Sequence, residues 1–269
     1  MIMVLSELQC KKICELIRKC GTDLLDAHNG DDGSDSIMSK SGTANFVTEY
    51  DVKTQRSLMA GLEVLFPGAV FYAEEKDNSD VDKNRSVCFF IDPIDGTTNF
   101  IHDMRMSALS VALYSYGEPV FGAVYNPYSD EMFWAKNGSG AYLNDKRISV
   151  SDREMNTAIV LFGTAPYDRT ELAAGFFPIL YRVFMNCADI RRSGSAALDV
   201  CYVAAGRADA YFEPLISPWD YAAGKIILEE AGGKMTSFSG DPVLPGAKTS
   251  VLCSNKVLHN KMLGLINKE

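Results

Sequence analysis

The chain has 269 residues, 47% of them hydrophobic and 23% charged, enough for a sizeable core in one large domain or two small ones sharing an interface. Its net charge of −9 argues against a nucleic-acid binder, which presents a basic face, and no apolar run reaches the roughly 20 residues of a membrane helix. The seven cysteines are odd in number and lie mostly among apolar residues, so they read as buried reduced thiols; without a secretory leader pattern at the N-terminus, the expected location is cytoplasmic.

Leu8, Ile13, Leu16, Ile17, Cys20 and Leu24 recur at helical spacing and predict a first helix over 4–27, with Ser6 and Gln9 placed for a capping box. Residues 29–45 are rich in Gly, Ser and Asp and read as a loop, long enough to point to function. A second helix is expected from Asp51 to Phe66, stopped by Pro67-Gly68. Apolar runs at 69–73 and 86–91 and alternating stretches near 106–115, 119–125, 131–136 and 140–143 predict strands. Turn signals at Gly117-Glu118, Asn126-Pro127 and Asn144-Asp145 fold this middle section into an antiparallel meander. Beyond residue 150, strand-like runs (157–162, 209–213, 233–238, 249–253) alternate with helical ones (168–184, 195–205, 219–231, 256–266). The expected organisation is an α+β half over 1–150 with an antiparallel sheet, then an α/β half over 151–269.

The most informative stretch is Phe89-Phe90-Ile91-Asp92-Pro93-Ile94-Asp95-Gly96-Thr97-Thr98-Asn99-Phe100. A buried-type strand runs into two carboxylates divided by a proline, and Pro93 is expected to end the strand there. Gly96 allows close backbone approach, and a helix starting near Thr97 would offer free N–H groups to a phosphate. Carboxylates for a hard cation, backbone donors for phosphate and a hydroxyl for water suit phosphoryl chemistry. Taken alone, an Asp-x-x-Asp turn is more often a simple cap. Glu74 after an apolar strand, Asp220 opening an Ala-rich helix and Asp51 opening the second helix have equally plain readings as surface or capping acids. Their combination, each at the end of an element, tips the balance. None of the three histidines (28, 102, 259) sits in a nucleophile motif.

The strings Asp92-Pro-Ile-Asp-Gly-Thr-Thr-Asn-Phe100 and Trp219-Asp-Tyr-Ala-Ala-Gly224 resemble the two signatures of the inositol monophosphatase family of lithium-sensitive, magnesium-dependent phosphatases. The resemblance extends to Lys40, Asn45–Asp51, Ala73-Glu74-Glu75 and Gly194-Ser195-Ala196-Ala197, and so covers nearly the whole chain in order. It implies a layered αβαβα sandwich with the metal site between the halves. It further implies two or three Mg²⁺ ions held by Glu74, Asp92, the carbonyl of Ile94, Asp95 and Asp220. Asp51, Thr97 and Glu74 would orient and deprotonate the attacking water. Gly96 and Thr97 would bind the phosphate, and Asp95, Ala196, Glu213 and Asp220 the substrate hydroxyls, while Lys40 would let its loop close over a metal. The chain departs from the family pattern at Lys76, where a serine is usual, which puts loop packing or a third ion in question.

Thr98-Asn99-Phe100 replaces the Lys-Glu-Phe of nucleotide 3′-phosphatases, so the expected activity is hydrolysis of inositol monophosphate to inositol and phosphate. A fructose-1,6-bisphosphatase or another sugar or histidinol phosphatase is the nearest alternative. A non-catalytic binding protein on the same fold, the role some bacterial relatives play on transcription complexes, is the more distant one. A homodimer is implied by the resemblance; no nucleic-acid or membrane partner is expected.

Overall fold

The structure, a computed structural model, describes residues 3–30, 38–41, 45–244 and 246–268, with only the backbone described at 29–30, 38–41 and 45–47. Helix α1 (Glu7–Gly30) opens with the expected box: Ser6 N–H donates to Gln9 Oε1 at 2.9 Å and Gln9 N–H to Ser6 Oγ at 3.2 Å. Within the stretch expected to be loop, strands β1 (Met38–Ser41) and β2 (Asn45–Val47) pair as an antiparallel ribbon. Helix α2 (Glu49–Leu65) follows, then β3 (Val70–Ala73), β4 (Cys88–Asp95), the five-residue helix α3 (Thr97–Ile101), and the meander β5 (Ala108–Ser115), β6 (Glu118–Asn126), β7 (Glu131–Lys136), β8 (Ala141–Leu143) and β9 (Lys146–Ile148). The remainder is β10 (Ile159–Phe162), α4 (Arg169–Phe184), β11 (Asp189–Arg191), α5 (Ala196–Ala204), β12 (Ala210–Ile216), α6 (Pro218–Glu230), β13 (Lys234–Thr236), β14 (Thr249–Ser254) and α7 (His259–Ile266).

Strands β3 to β9 form one seven-stranded sheet in sequence order, antiparallel except for the β3–β4 pair. The second sheet has the order β11-β10-β12-β14-β13, with its first three strands parallel. Alternation along the strands explains the layering. In β4, Phe89 and Ile91 pack with α1 and α2, whereas Cys88 and Phe90 face the core shared with α5 and α6. In the second sheet, Tyr211, Val251 and Cys253 face that same central core, and Phe212 and Leu252 face α4 and α7. The layers are therefore helix, sheet, helix, sheet, helix: the αβαβα sandwich. Both faces of each sheet are covered, so β4 and β5 are buried along their full length. No helix among the described residues is long and apolar enough to cross a membrane.

Strand β4 does not stop before Pro93 as the sequence led us to expect. It continues to Asp95, with a register shift against β5 between Asp92 and Asp95. A bulge is where a ladder needs no N–H, so the proline is accommodated inside the strand.

Candidate active site

The bulge sets the site. Ile94 N–H donates to Asp92 Oδ1 at 3.0 Å, and Gly96 turns the chain at φ 87°, a left-handed conformation that a side chain would strain. The turn delivers Thr97, whose hydroxyl lies 3.1 Å from the Ile94 carbonyl oxygen and 3.2 Å from Asp51 Oδ1. The other oxygen of Asp51 accepts from the backbone N–H and the hydroxyl of Thr48, both at 2.7 Å. Asp51 is thus the N-terminal cap partner of α2 and, through its second oxygen, a neighbour of Thr97.

Asp95 and Asp220 have the same double use. Asp95 Oδ2 accepts from the Ala197 amide at 2.8 Å and from the Ser195 hydroxyl, anchoring the start of α5 to the end of β4. Asp220 Oδ2 accepts from the Ser217 amide at 2.8 Å at the start of α6. With these bonds made, Asp92, Asp95 and Asp220 still each offer an oxygen within 4.8 Å of the others. Among the described residues, the hydrogen bonds to these three come from amides and a hydroxyl, none from a basic side chain. Burial and mutual repulsion hold Asp92 and Asp220 well above the usual carboxylate range, and Glu74 and Asp95 exert the largest repulsions on both. Burial pushes Asp95 up to about 7, against the pull of its two hydrogen bonds. A cluster of like charges without a cation of its own is unstable unless protonated or supplied with one. The donors are all oxygens, which suits a hard cation such as Mg²⁺ or Ca²⁺ and not zinc or copper. The residues present therefore fit the implied metal.

The cluster lies in a cavity of about 640 Å³, and Glu74, Gly96, Thr97, Ala196 and Glu213 also line it. Glu74 follows β3 on the turn at the sheet end. Glu213 is buried, with Oε1 accepting from the Ala165 amide at 2.8 Å and Oε2 from the Tyr211 hydroxyl. Gly163 makes room for it: a Cβ there would stand 2.2 Å from the Glu213 carboxyl carbon. The backbone of Lys40 lies in β1, but its side chain is outside what the structure describes. Lys76, the departure from the family pattern, turns away to donate to the Phe71 carbonyl at 3.0 Å. Sequence reasoning missed the Asp95–Ser195–Ala197 bridge, Asp199 and Tyr167 in the cavity wall, and the role of Gly163. Only the Gly-Ser-Ala-Ala string gave any signal for the first of these.

The model of the inositol monophosphatase family matches residues 5–269. The chain belongs to that family. An inositol-1-monophosphatase of Caulobacter vibrioides is 37% identical over 231 residues, 84% of this chain and 89% of the relative. A Vibrio cholerae protein named Nus factor SuhB is 39% identical over 199 residues, 74% of each chain. Among solved structures, the Thermotoga maritima inositol monophosphatase (IMPase) superposes with a TM-score of 0.84 at 32% identity, covering 95% of both chains. The Bartonella henselae extragenic suppressor protein suhB gives 0.86 at 31% identity, covering 96% of this chain and 98% of the other. Both the phosphatase family and the layered fold are thereby established.

Proposed function

We propose that the chain is a magnesium-dependent phosphomonoesterase that hydrolyses inositol monophosphate to inositol and phosphate. The observation that carries this reading is the cluster of three carboxylates, Asp92 and Asp95 buried and Asp220 partly so, within 4.8 Å of one another and without a basic partner among the described residues, beside the Gly96–Thr97 turn. Asp92, Asp95 and Asp220, with Glu74 and the Ile94 carbonyl, would hold two or three Mg²⁺ ions. Bound there, the ions supply charge neutralisation at the entering and leaving oxygens of an in-line displacement.

The chain's own groups do the rest. Asp51 is fixed by Thr48, so its Oδ1 stays aimed at the Thr97 hydroxyl. The attacking water passes a proton to Thr97 Oγ1 as that hydroxyl gives its own to Asp51 Oδ1, while Glu74 helps to orient the water. The Gly96 and Thr97 amides hold phosphoryl oxygens. Helix α3 has only five residues, so these two N–H groups matter more than any helix dipole. Asp95, Ala196, Glu213 and Asp220 meet the ring hydroxyls, and Lys40 closes its segment over the metal.

The test is phosphate release from myo-inositol 1-phosphate, fructose 1,6-bisphosphate, histidinol phosphate and 3′-phosphoadenosine 5′-phosphate, with Mg²⁺ or EDTA. Highest turnover on the inositol ester, dependence on Mg²⁺ and inhibition by Li⁺ are expected. A preference for fructose bisphosphate would move the assignment to the sugar branch. No turnover on any of the four would favour a binding role, the reading suggested by the Nus factor name of the Vibrio relative. The homodimer belongs to the same proposal and is checked by light scattering.

A further inference from the structure

Helix α5 begins at the bridge to Asp95 and carries a second carboxylate one turn further on. Asp199 lines the cavity wall, is 1% exposed, and its Oδ1 has no hydrogen-bond partner among the described residues. Burial holds this carboxyl well above the usual range; the Ser193 hydroxyl and, more weakly, the Arg192 charge act in the other direction. Folded chains rarely leave a buried polar atom unpaired, because its lost hydration is not recovered. An unpaired atom in the wall of a ligand cavity has a natural partner in the ligand.

The surroundings narrow what that partner is. Asp199 stands outside the cluster whose oxygens meet within 4.8 Å, so it is not a fourth member of the cation site. Asp95 and Glu213 each act on Asp199 more strongly than the opposing Arg192 charge, so this part of the wall disfavours a second anion. Glu213 offers acceptors on the same wall and is locked in place by the Ala165 amide and the Tyr211 hydroxyl. A hydrogen-bond donor is the chemistry left, and in a cavity read as a polyol-phosphate site the donors at hand are ring hydroxyls. The carboxyl's last torsion is soft, so a bound donor would need only a turn about Cβ–Cγ to meet an oxygen.

We infer that Asp199 is a specificity-determining residue which, together with Glu213, accepts hydrogen bonds from ring hydroxyls of the polyol remote from its phosphate. This rests on the reading of the site as a polyol phosphatase. A site built to bond a hydroxyl discriminates against substrates lacking it, because the buried group then stays unpaired.

Asp199→Leu and Asp199→Asn, each with the full chain and Mg²⁺, test the inference. Two substrates are compared: the best hydroxylated substrate of the wild-type panel, and phenyl phosphate, which has no ring hydroxyls. Asp199→Leu is expected to raise KM for the hydroxylated substrate about tenfold with kcat within about twofold, and to leave KM for phenyl phosphate unchanged. Its thermal midpoint should stay close to wild type, since removal of the unpaired Oδ1 offsets loss of the Ser193 hydroxyl bond. Asp199→Asn keeps an acceptor oxygen and should shift that KM by less than about threefold; it carries the test if the leucine variant fails to fold, a tenfold shift common to both substrates then overturning the inference. Unchanged KM in the leucine variant, an equal rise for both substrates, or a lower midpoint with KM intact would also overturn it. Failure of wild type on inositol phosphate would count against the substrate assignment alone, because the comparison uses whichever hydroxylated ester is turned over.

Discussion

Asp220 illustrates how much two oxygens of one residue can be asked to do. One receives the Ser217 amide at the start of α6, and the carboxylate also joins the acid cluster. Asp220→Asn keeps an acceptor for the cap but removes a charge the cations need. We expect turnover to fall at least about 100-fold, while the metal-free protein gains thermal stability from the relieved repulsion. Calorimetry with EDTA and a phosphate-release assay check the two halves together; Glu74→Gln should lose turnover to a similar degree. Thr97→Val removes the hydroxyl between Asp51 and Ile94 and should lower kcat about 100-fold with KM little changed. The pH dependence follows from the raised carboxylates. Their folded-state pKa values exceed those of the unfolded chain, so the native state binds protons more tightly. The resulting stabilisation is complete at low pH and is lost as pH rises through the folded values, about 7 for Asp95. Metal-free protein should therefore have a lower urea midpoint at pH 8 than at pH 6, and saturating Mg²⁺ should flatten that slope.

Helices and strands extend the same reasoning. Helix α7 begins at His259, a buried ring whose Nδ1 lies 2.8 Å from Ser254 Oγ on β14 and whose Nε2 lies 3.0 Å from Thr236 Oγ1 on β13. Burial, reinforced by Lys234, lowers its pKa to about 4. The sign is opposite to that of the carboxylates: the unfolded histidine binds protons first, so stability is lost as pH falls from about 6.5 towards 4. An NMR titration should show the His259 ring still neutral at pH 5.5; a midpoint near 6.5 would contradict the buried geometry. Much at this scale was legible in the sequence. Ile13, Ile17, Cys20 and Leu24 give α1 its buried stripe, whereas Leu8, counted in that stripe, is 62% exposed because at helical spacing it falls on the face away from Cys10 and Ile13. Strands β9 and β11 passed unnoticed, since three residues are too few to show a period. Pro93 misled because its local rule favours a strand end, and only the partner strand shows that the bulge absorbs it.

Across the whole molecule, the site gathers groups from three layers. Asp92 and Asp95 come from a strand of the first sheet, Asp220 from a central helix, and Glu213 from a strand of the second sheet. The identities of these acids could be read from the string of letters. Their convergence could not, because it depends on α5 and α6 lying between two sheets and on Asp95 reaching Ala197 across about a hundred residues of chain. A cation bound by this cluster stabilises the folded state by mass action, roughly 2.7 kcal/mol at a hundredfold excess over Kd. Mg²⁺ should accordingly raise the midpoint of a single unfolding transition, and Asp220→Asn should abolish most of that rise. The capping roles of Asp51, Asp95 and Asp220 also bear on how such a chain ages. A descendant that abandoned hydrolysis would still be selected to keep those three as anchors for the ends of α2, α5 and α6. Glu74, on a turn after β3, opens no helix and would drift first, so a relative that has retired from catalysis should show the change at that position while its signature strings persist.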